Sequence, residues 1–195
     1  VFRIGGEYTM NLQNKRIGIF IESDFYENEI FYYTLRFPEE GASVDFFSRL
    51  WGQEALVFTG HEYKAELRCS TSFEKVKPSD YNAIIVPSGM VADRLRYSEK
   101  AHTLAPACEF LKAAFEDASI LKGIICHGIW LASPIPHIME GRRVTVHNNC
   151  VADAEHMGAE YVDKDVVVDK DLVTGRTGGH CNFFAKKIIE LLSER

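Results

Sequence analysis

The residues with the plainest chemical potential stand together at Ile124-Ile125-Cys126-His127-Gly128, where an apolar run ends in a thiol, an imidazole and a glycine. A cysteine placed between a buried strand and the first turn of a helix has the geometry of a nucleophile elbow, with Gly128 clearing room for the sharp turn. N–H groups left unpaired where a helix begins favour a thiolate over a thiol. They can also receive the oxyanion that forms when sulfur attacks a carbonyl carbon. His127, directly adjacent, supplies an acid–base group. The plainer alternative is a buried structural cysteine beside a satisfied histidine, and for an arbitrary Cys-His pair it is the commoner case. A second apolar run, Asn82-Ala83-Ile84-Ile85-Val86, ends in Pro87-Ser88-Gly89 and offers another tight turn.

The elements that must position these turns alternate as βαβ units do. Arg16–Ile21, Asn82–Val86 and Lys122–Cys126 are continuous apolar runs, which predicts parallel strands covered on both faces. Tyr26–Glu40 has a helical pattern, with Gly41 placed to cap it. Ser43–Phe47 reads as a strand, and Gly52–Phe73 as short strands about the Gly60 turn. Ser98–Asp117 is predicted helical, a helix is expected to begin at Gly128, and Arg143–Val146 forms a short strand before a helix over Ala152–Met157. Val166–Asp169 and Leu172–Thr174 pair about Lys170-Asp171, and Asn182–Leu192 is an amphipathic C-terminal helix. Such alternation predicts an α/β three-layer sandwich, a mostly parallel sheet with helices on both faces. Ligands bind such sheets outside the carboxyl ends of the strands, where the two unusual turns lie. Residues 10–195 read as a single domain. Val1–Thr9 reads as a poorly ordered or expression-derived leader ahead of Met10.

Composition narrows the function classes. Hydrophobic residues make up 46% and charged residues 26% of the 195, and the formal net charge is −6. That balance argues against a broad nucleic-acid or anionic-membrane surface. No run approaches the roughly 18 apolar residues of a spanning helix, and the first residues lack a secretory pattern. The five cysteines (Cys69, Cys108, Cys126, Cys150, Cys181) are scattered and include no CxxC pair. This fits a reducing, cytoplasmic setting better than a disulfide framework or a zinc site, so no metal is expected.

Several motifs follow one another in a specific order: Asp24-Phe25-Tyr26-Glu27-Asn28-Glu29, Glu39-Glu40-Gly41-Ala42-Ser43-Val44, Phe73-Glu74-Lys75-Val76, Val86-Pro87-Ser88-Gly89, Ile125-Cys126-His127-Gly128 and Val166-Val167-Val168-Asp169. With these the chain resembles, from about Lys15 to its C-terminus, the ThiJ/PfpI family of the class I glutamine-amidotransferase-like superfamily. The histidine after the cysteine makes it most similar to the intracellular protease I branch. The resemblance implies a flavodoxin-like sheet, Cys126 as nucleophile, His127 as base and acid, and Glu29 in contact with the sulfur. It implies an oxyanion hole from the backbone N–H groups of Gly89 and His127, with no cofactor. It further implies a homo-oligomer, dimer or hexamer, in which Asp93 of a neighbouring subunit orients His127; a solvated loop acid is an equal alternative for Asp93.

Several positions depart from that pattern. Tyr26 replaces a glutamate, and a phenol titrating near pH 10 is no general base at neutrality. Ser88 replaces the middle residue of Pro-Gly-Gly and alters the oxyanion loop. His180 stands where the branch carries a pocket-wall acid. His147 aligns with a histidine near the cysteine in the deglycase member, and His61 falls near a lysine position of the protease branch. Three functions compete: addition of Cys126 to small reactive carbonyls in the glyoxalase III or deglycase sense; peptide or amide hydrolysis; and a non-catalytic stress role, as redox sensor or holdase. The first two imply a small-molecule carbonyl or a peptide/amide substrate.

Overall fold

The computed structural model describes residues 11–195; the expectation for Val1–Thr9 lies outside them. The chain runs β1 (Arg16–Phe20), α1 (Glu27–Glu39), β2 (Ser43–Phe47), β3 (Leu56–Thr59), β4 (Glu66–Cys69), β5 (Ala83–Val86), α2 (Val91–Leu95) and α3 (Pro106–Phe115). It continues with β6 (Leu121–Ile125), β7 (Arg143–Val144), α4 (Val151–His156), β8 (Glu160–Tyr161), β9 (Val166–Asp169), β10 (Leu172–Gly175) and α5 (Cys181–Ser193). The main sheet has the order β2-β1-β5-β6-β10-β9. All its pairings are parallel except that of β9 with β10. Its five parallel strands therefore follow the flavodoxin order 2-1-3-4-5.

The central strands read as continuous apolar runs because both faces are covered: β5 and β6 are buried throughout. On one face Phe20, Phe47, Phe73 and Phe110 pack with ring centroids 5.0–5.7 Å apart, mostly edge to face. The other face carries α1 and α5, where Tyr33 meets Phe184 at 6.3 Å.

The predicted helix over Ser98–Asp117 is corrected. Its first part is a loop closed by Thr103 and Ser98 onto Lys100, and α3 begins only at Pro106. A proline lacks the N–H and crowds the preceding turn, so it starts a helix rather than continuing one. The short strand expected over Arg143–Val146 is present as β7, while α2 and β8, its two-residue partner, carry no periodic signal.

At the far end of β6, Lys122 is fully buried and donates to Asp171 and to the Asp117 carbonyl (3.0 Å). Arg142 reaches the same Asp171 at 2.8 Å and Asp169 at 2.9 Å, joining β6 and the β9–β10 turn in one charged network.

Sheet register brings the working turns together. Val86 pairs with Ile124 and Gly175 with Ile125, so residues 87–89, 126–128 and 176–178 emerge side by side. Phe25, just before α1, bridges Gly89 and adds the start of that helix to the cluster. No helix among the described residues is long and apolar enough to cross a membrane.

Candidate active site

The thiol stands on a strained elbow. Cys126 has φ 60°, the left-handed conformation that costs a non-glycine residue about 1–2 kcal/mol. A seven-residue 3-10 turn, Cys126–Ala132, follows at once instead of the expected α-helix. Gly128 lies so close to β5 that a Cβ would stand 2.7 Å from the Val86 carbonyl oxygen and 3.0 Å from that of Pro87. Only glycine lets the turn press against the neighbouring strand end.

Cys126 is 7% exposed and lies in a cavity of about 260 Å³. Tyr26, Ser88, Gly89, His127 and His147 line it as the sequence suggested, together with His61. Thr177, Gly178 and Gly179 complete the wall. A larger cavity, about 420 Å³, opens at the opposite end of the sheet beside Lys15, Asn82 and Ile120; it contains no thiol or imidazole. Of the two, the cysteine cavity is the one that carries a thiol and imidazoles.

Burial pushes the Cys126 thiol up to about 11. Backbone N–H groups of Gly178, His127 and Gly89 favour the thiolate but do not outweigh that burial, and the nearby Glu29 charge opposes them. This burial works against the expected resting thiolate, while the three N–H groups work for it. Deprotonation then needs a base at hand. His127 Nδ1 lies 3.2 Å from Cys126 Sγ. Burial, followed by the neighbouring His147, holds His127 below its ordinary range, while Asp153 pulls it up. The imidazole is thus neutral at pH 7 and, with its proton on Nε2, accepts the thiol proton through Nδ1. Its ring sits between His147 (4.5 Å) and Trp130 (4.7 Å).

Glu29 lies in the first turn of α1 without solvent exposure, which excludes the reading of a solvated helix-start acid. Its Oε2 accepts from the Ser88 N–H at 3.1 Å and from the Ser88 hydroxyl. Ser88, the departure from Pro-Gly-Gly, is thus the partner of the buried acid. Tyr33, one turn further along α1, interacts with the same carboxyl, although Tyr33 Oη and Glu29 Oε1 lack a hydrogen bond of good geometry among the described residues. Burial raises Glu29 to about 7, with Ser88 and Tyr33 drawing it back. A carboxyl that titrates near neutrality beside a protonated thiol can both take and give a proton.

Two predicted residues lie elsewhere. Asp93, on α2, binds Arg96 at 2.6 and 3.1 Å within its own chain. Within one chain the acid acting on His127 is Asp153 of α4, which also accepts from Trp130 Nε1 at 3.0 Å; the role expected of Asp93 concerns a neighbouring subunit. His180 turns away from the cavity: its Nδ1 meets Thr177 Oγ1 at 2.8 Å, and its Nε2 lies 3.5 Å from Asp165. Tyr33, Asp153 and the Thr177-Gly178-Gly179 wall were missed. Only the wall was foreshadowed, because a strand over Leu172–Thr174 beside Lys122–Cys126 delivers those residues to the thiol. Among the described residues no three His, Cys, Asp or Glu side chains group to hold a metal ion.

A flavodoxin-ordered sheet with a strained cysteine at a central strand end, backed by a buried glutamate from the first helix, defines a class of cysteine-elbow proteins. The chain belongs to the DJ-1/PfpI family, whose model matches residues 15–191. A protein named deglycase from Pyrococcus abyssi is 30% identical over 178 residues, covering 91% of this chain and 99% of its own. General stress protein 18 of Bacillus subtilis is 29% identical over 181 residues, covering 92% and 99%. A ThiJ/PfpI domain protein from Brachyspira murdochii shares the fold with a TM-score of 0.80 at 17% identity, covering 94% and 98%.

Proposed function

We propose that this chain is a cysteine-dependent enzyme acting on small reactive carbonyls, with α-oxoaldehydes or their adducts as substrates. The observation that carries the reading is the convergence of a neutral imidazole, a carboxyl titrating near 7 and three backbone N–H groups on one buried thiol. The name of the Pyrococcus abyssi relative supports the same direction.

In this reading Cys126 Sγ adds to the aldehyde carbon as the S–H proton passes to His127 Nδ1. The carbonyl π electrons become an alkoxide, held by the N–H groups around the sulfur. That alkoxide takes the proton back to give a hemithioacetal. Ionised Glu29 then removes the proton from the hemithioacetal carbon, giving an enediolate whose former ketone oxygen takes up the hemithioacetal hydroxyl proton. Glu29 returns its proton to that adjacent carbon, leaving a thioester. Water hydrolyses it to a 2-hydroxy acid and frees the thiol; aldehyde plus water balances the product. Amide hydrolysis is less favoured, since leaving-amine protonation calls for a well-oriented imidazolium. Here burial holds His127 neutral and Arg96 occupies Asp93.

Lactate formed from methylglyoxal is the direct measure. Wild type is expected to produce it, and Cys126→Ala to lose at least about a thousandfold in kcat/KM. Absence of lactate with wild type would overturn the assignment for this substrate.

A further inference from the structure

Two residues before Glu29, the same helix carries a carboxylate that no step above uses. Glu27 opens α1 yet has no exposed surface, although a glutamate there is ordinarily solvated. Its Oε2 accepts the Glu62 N–H at 2.9 Å and its Oε1 the Tyr63 N–H at 2.7 Å. Both donors belong to the turn joining β3 to β4. Burial opposes the charge, but these backbone donors prevail and hold Glu27 below the usual carboxylate range. Gly60, in the same turn, packs onto the carboxylate so closely that a Cβ would overlap it. Two further bonds fasten the turn to the start of α1: Asp24 N–H to the Thr59 carbonyl (2.7 Å) and His61 N–H to the Phe25 carbonyl (2.9 Å). His61 then forms part of the cavity wall shared with Cys126. No lysine, arginine, aspartate or glutamate lines that cavity among the described residues, so imidazoles are its principal polar side chains.

We propose that Glu27 is a positioning residue that clamps the β3–β4 turn and thereby sets His61 against the substrate's second oxygen, making His61 a specificity determinant for compact, uncharged 1,2-dicarbonyl compounds. The substrate half of the proposal rests on the carbonyl reading above. The clamp itself stands on backbone hydrogen bonds and is measured without turnover.

Three variants test it: Glu27→Gln, which puts an amide NH₂ against one N–H donor; Gly60→Ala, which displaces the carboxylate from the other side; and His61→Ala. Glu27→Gln and Gly60→Ala should each speed amide exchange at Glu62 and Tyr63 on the order of tenfold, the size of one lost charge-assisted bond. Exchange in β6 should not change. Both should also accelerate iodoacetamide labelling of Cys126, followed by mass spectrometry. With methylglyoxal, all three should raise KM on the order of tenfold with kcat within about twofold. The Glu27→Gln/His61→Ala pair should be no worse than either alone. Unchanged exchange and labelling in both clamp variants overturns the clamp, whether or not the wild type turns over. Faster exchange with unchanged KM, or additive effects in the pair, overturns the role of His61. Loss of the carbonyl reading alone would appear as no wild-type turnover with the exchange and labelling shifts intact.

Discussion

Glu29→Gln is expected to remove turnover and, at the same time, to make the protein more stable at pH 8. The two effects share one cause. In the unfolded chain the carboxyl titrates near 4.5, and in the fold burial raises it to about 7. The folded protein therefore binds this proton more tightly than the unfolded one. Its contribution is fully present below pH 4.5, declines as pH rises toward 7, and is gone above that. At about 1.4 kcal/mol per pH unit the difference over these two and a half units is about 3.5 kcal/mol. Glutamine does not titrate. Its carbonyl can accept from both Ser88 donors, and its NH₂ can face the otherwise poorly bonded Tyr33 hydroxyl. The variant should gain roughly 5–10 °C in Tm at pH 8 and nothing at pH 4. Turnover should fall about 10²–10⁴-fold through loss of the acid–base group. Melting curves at the two pH values check the first part; an equal shift at both would mean that Glu29 carries no unfavourable charge at neutrality.

The second large effect lies at the opposite end of the sheet and concerns stability alone. Lys122 has no exposed surface and satisfies its ammonium with Asp171 and the Asp117 carbonyl. Lys122→Ala leaves a void in β6 beside Phe115, over whose ring the ammonium sits at 5.1 Å, and takes one cation from Asp171. Breaking a buried pair by removing one partner costs about 3–5 kcal/mol. Because Arg142 still reaches Asp171, the expected loss is near the lower figure, about 3 kcal/mol. Urea unfolding measures it, and Lys122→Met, which keeps the aliphatic stem, should recover part. A loss below about 1 kcal/mol for Lys122→Ala would mean that Arg142 alone sustains the network.

How much of this was legible beforehand depends on how local each signal is. Strands β1, β5 and β6 stand out because two-sided burial demands unbroken apolar runs, and Cys126, Gly89 and Glu29 stand out because they end or follow such runs. The burial of Cys126 was not legible: α1, the 176–179 segment and the β5 turn come from distant parts of the chain and together leave the sulfur only 7% exposed. Within its own chain Asp93 pairs with Arg96, three residues on, and its expected reach to His127 belongs to a neighbouring subunit. His180 was expected on the wall, but the 3-10 turn over Gly178–His180 swings it toward Asp165. Asp153 lies 26 positions beyond His127 with no motif to connect them, and only the packing of α4 against the 3-10 turn makes it a neighbour.

The torsion at Cys126 has a consequence for how this scaffold responds to engineering. At most junctions glycine is the weaker choice beside alanine by up to about 1 kcal/mol, since it leaves the denatured chain looser. With φ at 60°, that ranking should invert. Cys126→Gly should outlast Cys126→Ala on heating, by about 1 kcal/mol, because only the alanine retains a Cβ pressed toward its own carbonyl. Heat resistance and nucleophile thus pull in opposite directions at this position, and a variant library sorted solely for survival at high temperature should drift toward an inert chain.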